Sequence, residues 1–130
     1  MTNWSGNNRR KFPRVNYPCL VVLRDNGESH EAVLSHTENV GEGGLCVILK
    51  KNLRVFSVVD IELDLLDFEE HIKCQGKVVW NIQRRVEDNH KPVFYDIGIE
   101  FVSLPKEKEE RLKNAVTRVI RAGGEPTPYT

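Results

Sequence analysis

From residue 17 to residue 102 the chain alternates short apolar runs with polar or glycine-bearing breaks. The clearest run is 58–66. Val59, Ile61, Leu63 and Leu65 share one face, and Asp60, Glu62 and Asp64 share the other. A period of two with one apolar face is the mark of a half-buried antiparallel strand. The same reading predicts strands over 17–24, 31–38 (with Ala32 and Leu34 on one face), 45–49, 72–82 and 93–102. Asn26-Gly27 supplies the positive φ of a tight hairpin, 41–44 is a glycine-rich bend, and 67–70 is a polar turn. Gly76 falls inside a strand, where a bulge or sharp bend is expected, and Gly98 marks a close approach within the last strand.

The period then changes. Leu112, Ala115, Val116, Val119 and Ile120 recur at helical spacing, with charged residues between them. This predicts one amphipathic helix, capped by Ser103, with Pro105 in its first turn and Gly123-Gly124 as its stop. About six antiparallel strands that each bury one face close most economically into a small barrel, with the helix over an end or a side. The expected organisation is an arm over 1–14, a barrel plus helix over 15–122 and a flexible tail over 123–130.

Composition narrows the function. The 130 residues hold 19 Lys+Arg and 19 Asp+Glu, a formal net charge of zero, which argues against a general binder of nucleic acid polymers. The charge is unevenly placed: Arg9, Arg10, Lys11 and Arg14 crowd together with no acid among them, whereas acids dominate 62–70 and 107–110. A local basic arm on a neutral domain suits a small anion. No run approaches the ~18–20 apolar residues of a membrane span, and residues 1–8 lack the apolar core of a signal peptide. The expectation is a cytoplasmic protein without membrane insertion. Cys19, Cys46 and Cys74 sit in separate strand-like runs and read as buried thiols. They and the four histidines show no metal-ligand spacing, so no metal and no cofactor are assigned. No nucleophile–base pair, P-loop or dinucleotide fingerprint is visible; the 41–44 bend leads into a strand, not a helix. The chain does not read as an enzyme.

Two motifs remain. Arg10-Lys11-Phe12-Pro13-Arg14 places arginines at i and i+4, and Asn39-Val40-Gly41-Glu42-Gly43-Gly44 sets a polar residue before the glycine-rich bend. In order and spacing they resemble the RxxxR and (D/N)xSxxG signatures of the PilZ domain family, with Gly41 where the family has serine. Gly76-Lys77-Val78-Val79-Trp80 resembles the family's mid-barrel strand, and Tyr95 to Phe101 its final strand, so the resemblance covers roughly 9–121. It implies an all-β fold, a six-stranded antiparallel PilZ-type β-barrel with a C-terminal α-helix. It also implies that the chain binds the bacterial second messenger cyclic di-GMP. With no second domain in view, the expectation is a stand-alone receptor that passes its signal to a downstream protein partner.

The chemistry agrees with that ligand. A guanidinium fork matches guanine O6 and N7, grips phosphate oxygens and stacks on a purine face; lysine supplies charge without the fork. Pro13 disfavours a regular helix through the arm and biases Phe12 toward an extended backbone, where i and i+4 point to one side about 13 Å apart. The two arginines could hold two parts of one dinucleotide, or converge on one part if the arm bends. By resemblance, the ligand-binding residues are Arg9, Arg10, Arg14, Asn39, Gly41 and Gly44. Asn39 hydrogen-bonds the ligand, Gly44 marks a close approach, and Arg9 could clamp a second cyclic di-GMP, leaving one or two molecules open. Losing the serine hydroxyl removes one hydrogen bond, roughly 0.5–1.5 kcal/mol or about tenfold in affinity at most. Trp80 could stack on a base, although a strand tryptophan more often packs. The competing readings are a degenerate PilZ domain that binds no nucleotide and mediates protein contacts, favoured by Gly41, and a small barrel for single-stranded nucleic acid, disfavoured by the scarcity of aromatics.

Overall fold

The computed structural model describes residues 14–15, 19–25, 31–84 and 93–121, with backbone alone at 14–15 and 120–121. The strands are β1 (Arg14–Val15), β2 (Leu20–Asp25), β3 (Ala32–Gly41), β4 (Gly44–Leu49), β5 (Val58–Asp64), β6 (Ile72–Gln83) and β7 (Tyr95–Phe101), followed by helix α1 (Lys106–Arg121). All pairings are antiparallel. The six strands β2 to β7 close on themselves in the cyclic order β3-β2-β5-β6-β7-β4, with β3–β4 pairing completing the ring. The six-stranded barrel with its C-terminal helix is therefore the fold the sequence implied.

β3 is the hinge of the closure. Its first half pairs with β2, from Ala32 to His36, and its second half with β4, from Thr37 to Val40. β1 lies beside that second half, where β2 no longer accompanies it. An irregularity between Thr37 and Asn39 switches the facing of β3. Before it, Val33 packs on the core while Ala32 and Leu34 are exposed; after it, Val40 is in the core. The face shared by Ala32 and Leu34 is thus the outer one. Thr37 clasps the start of β2: its hydroxyl accepts from the Cys19 amide at 3.0 Å, and its own amide donates to the Cys19 carbonyl at 2.9 Å.

The interior is aliphatic, with Val21, Leu23, Leu45, Val47, Val59, Ile61, Leu63, Ile72, Val78, Ile97 and Ile99 all buried. The predicted face of β5 is intact, and Asp60, Glu62 and Asp64 lie half-buried on its outer side. Gly76 is not a bulge. Its register with β5 and β7 is regular, and a Cβ there would stand 2.5 Å from both Ile61 and Ile99 side chains, so the core excludes a side chain. The bulge in β6 falls at Val79, between the pairs of Val78 and Trp80.

Of the predicted stripe, helix α1 buries Leu112, Ala115 and Val116 and half-buries Val119, while the Ile120 side chain lies outside the described residues. Its amides at Lys108 and Glu109 donate to the Pro105 carbonyl, which makes Pro105 the cap position and leaves Ser103 two residues upstream. Arg111 reaches the β5–β6 turn, and the helix also packs against β1 and β3. The Asn26-Gly27 turn, residues 85–92 and the 122–130 tail lie outside the described residues.

Candidate functional site

Two of the six site residues expected from the sequence, Arg9 and Arg10, lie outside the described residues. The other four are brought together. β1 pairs with the end of β3 in the register Arg14↔Gly41 and Val15↔Val40, so the backbone of the second motif arginine stands directly opposite Gly41. Because Val40 points into the core, Asn39 and Gly41 face the outside of the barrel.

Asn39 is the informative residue. It sits on the outer wall, yet it is only 7% exposed. Among the described residues its buried Oδ1 finds no hydrogen-bond partner. Buried side-chain oxygens are nearly always paired, and one that is not costs roughly 1–3 kcal/mol. An acceptor held in this way is ready for a donor from outside the fold.

Gly44 owes its place to a close backbone approach. A Cβ there would stand 2.1 Å from the Ile99 carbonyl oxygen of β7, with which β4 is in register. The Phe101 amide donates to the Gly43 carbonyl at 2.9 Å and continues this ladder past the bend. The 41–44 bend is therefore pinned to β7 on one side and carries β1 on the other. Gly44 has no room for a side chain.

The registers also reveal residues that sequence reasoning did not assign. Asn39 is opposite Cys46, Cys46 is opposite Gly98, and Gly98 is opposite Trp80. These four form one outward row across β3, β4, β7 and β6. Neighbouring strands are about 4.8 Å apart, so the row spans roughly 14 Å. Gly98 keeps its middle flat, and the Trp80 indole lies over it: a Cβ at Gly98 would meet Nε1 at 2.2 Å. Trp80 thus packs on the strand, as its position suggested, and does so at the far end of the wall that begins at Asn39.

Arg84 is a cation at the border of the row. Arg84 bonds Asp96 through Nε at 2.8 Å; that hydrogen bond and charge raise its pKa, and Glu38 and Cys46 are within electrostatic reach. No sequence signal marked Arg84, because its approach to β3 and β4 depends on how the barrel closes. Among the described residues there is no group of three or more His, Cys, Asp or Glu side chains placed to hold a metal ion. Nor, among the described residues, is any helix long and apolar enough to cross a membrane. Burial pushes the Cys19 thiol up to about 12 and the Cys74 thiol up to about 11, so neither offers a ready nucleophile at neutral pH.

The chain is similar to known proteins in sequence pattern and in fold. The PilZ domain profile matches residues 8–118. A search of curated protein sequences finds no significant match. Among solved structures, the inhibitor of motility MotI/DgrA of Bacillus subtilis superposes with a TM-score of 0.68 at 16% identity, over 88% of this chain and 52% of that one. The PilZ domain of Escherichia coli YcgR, solved with c-di-GMP, gives 0.65 at 13% identity, over 88% and 94%. The MrkH–c-di-GMP complex of K. pneumonia gives 0.71 at 17% identity, over 88% and 54%. The chain thus spans about half the length of MotI and MrkH and nearly all of the isolated YcgR domain.

Proposed function

This chain belongs to the PilZ domain family, and from that membership and the geometry of its outer wall we propose that it is a receptor domain for cyclic di-GMP. The observation that carries the proposal is the β1–β3 register. It sets Arg14 against Gly41, beside the buried and unpaired Oδ1 of Asn39. Two solved relatives of the same fold, the YcgR PilZ domain and MrkH, hold c-di-GMP.

The roles follow from donor and acceptor chemistry. Arg10 and Arg14 supply guanidinium forks for guanine O6/N7 and for phosphate, and Arg9 adds a third cation for these oxygens or for a second ligand molecule. Asn39 Oδ1 accepts from the guanine 2-amino group. Gly41 gives the nucleotide room against β3, with a water in place of the family's serine hydroxyl. Gly44 holds the bend in shape. The arm closes over the ligand, and the composite surface of arm and nucleotide is what a downstream protein partner reads. Ordering the arm costs entropy, which the arginine contacts must exceed.

Calorimetric titration of the protein and its Arg10→Ala/Arg14→Ala double variant with cyclic di-GMP tests the assignment. The proposal predicts saturable binding in the parent and loss of at least about 100-fold in the variant, the scale of two charge-assisted contacts. Equal binding by both would remove the arm from the site. Absence of binding in the parent would favour the second reading, in which Gly41 marks a domain that has given up nucleotide and acts through protein contacts.

A further inference from the structure

The β5–β6 turn is built in a way that the barrel alone does not explain. Leu66 and Phe68 both have left-handed backbones, at φ 60 and φ 62. Bulky L-residues avoid this region, and glycine or asparagine would occupy it with less strain. Neither side chain gains from burial in return. Leu66 is 52% exposed and Phe68 is 105% exposed, while the adjacent Leu65 supplies the core contact.

The turn is also held firmly. Asp64 Oδ1 accepts from the Leu66 amide at 2.8 Å, and Asp67 Oδ1 accepts from the Glu69 amide at 3.1 Å. Arg111 of α1 grips both Asp67 carboxylate oxygens, at 3.0 and 3.3 Å, and donates to the Glu70 carbonyl at 2.7 Å. Burial opposes ionisation of Asp67, but the Glu69 amide and Arg111 outweigh it and hold the carboxyl below its usual range. On the other flank His71 bridges Glu62 at 2.8 Å and Asp64 at 3.4 Å. Two strained apolar residues on a pinned scaffold, projecting from the fold, describe an anchor whose pocket is on another molecule.

The surrounding charge narrows what that molecule is. Asp64, Glu69 and Glu70 ring the tip, with Glu69 and Glu70 exposed. This ring repels nucleic acid and anionic membrane surfaces alike. We propose that the Leu66–Phe68 turn is a docking knob for a protein partner that offers an apolar pocket, sized for a phenyl ring, with a rim of lysine or arginine. The turn shares no residue with the two motifs, and the proposal does not depend on the assignment made there.

Photo-crosslinking tests it. Benzoylphenylalanine is placed at position 68 of the full chain in its native host, with position 56 as control: Phe56 is exposed and left-handed too, at φ 74, but Lys77 Nζ lies over its ring at 5.3 Å, so it has a partner within the fold. The protein captured at 68 but not at 56 is identified, purified and titrated against the chain. The expected result is a weakening of roughly 30-fold by Phe68→Ala, the scale of an aromatic anchor. Glu69→Lys/Glu70→Lys should weaken it too, with the affinity falling as salt rises. A melting-temperature series separates binding from folding: Leu66→Asn and Phe68→Asn should melt at or above the parent. An absence of adducts beyond the control, or adducts only with a second copy of the chain, would overturn the proposal. So would a captured partner indifferent to Phe68→Ala, or a clear drop in melting temperature for Phe68→Asn.

Discussion

Replacing Asn39 by leucine should move stability and ligand affinity in opposite directions. The parent side chain is 7% exposed and its Oδ1 has no partner, so the unliganded fold carries the desolvation cost of one acceptor, roughly 1–3 kcal/mol. Leucine has nearly the same length and nothing to desolvate. Imperfect fit against the neighbouring Cys46 and the β3–β4 bend will take back part of the gain. A net stabilisation of about 1 kcal/mol is expected, which for a chain of this size is about 4 °C in Tm. In the bound state the balance reverses. The ligand loses an acceptor and leaves a guanine N–H without a partner, at a cost of about 1–3 kcal/mol, or roughly 5- to 150-fold in Kd. Differential scanning calorimetry and isothermal titration of the same preparations read both quantities. A variant that melts lower than the parent and binds cyclic di-GMP equally well would overturn this expectation. It would show that the amide is satisfied within the fold and is no part of the site.

Gly44→Ala should destabilise by about 2 kcal/mol or more and weaken ligand binding with it. The new Cβ would stand 2.1 Å from a main-chain oxygen of β7, which cannot turn aside as a side chain can; urea denaturation measures the loss, and an unchanged midpoint would contradict the close approach. His71 should add stability only within a pH window. Its hydrogen bond to Glu62, aided by the charges of Asp64 and Glu62, raises the imidazole pKa above 6.5, and the same hydrogen bond lowers that of Glu62 below 4.5. The raised-pKa group contributes fully below its unfolded value and loses its effect as pH rises through its folded value; the depressed carboxyl loses its effect as pH falls through its own folded value. The stability difference between the parent and His71→Ala should therefore be greatest between these limits, near pH 5–6, and vanish in mild alkali, as a pH series of melts would show. Cys19 and Cys74, with thiols raised to about 12 and about 11, should resist iodoacetamide at neutral pH in the native state and react promptly in denaturant, which mass spectrometry of peptides resolves.

Much of the barrel was legible because each strand buries one face. The alternation from Val59 to Leu65 and the helical spacing from Leu112 to Val116 both report a solvent boundary, and that boundary is where the structure puts it. The facing of Ala32 and Leu34 was not legible, because Val33 between them is the inward residue and no apolar contrast separates the three. The Thr37–Asn39 irregularity that turns Val40 inward and Asn39 outward comes from the geometry of closure, which pairs β3 with β2 along one half and with β4 along the other. Gly76 suggested a bulge, but its reason is a core too tight for a Cβ; the true bulge is at Val79, a β-branched residue with no local signal. Of the site, the motif residues Arg14, Asn39, Gly41 and Gly44 could be named from the sequence. The Cys46–Gly98–Trp80 row could not, since its members are 18 to 52 positions apart and meet only through register.

Whether cyclic di-GMP lies on the outer wall between β1 and the Asn39 row is read from backbone and side-chain amide resonances followed during titration. Binding there gives saturating shifts at Arg14, Gly41, Gly44, Cys46 and Gly98 and at the Asn39 side-chain amide. Shifts confined to other faces of the barrel, or none at all with ligand in excess, would contradict it.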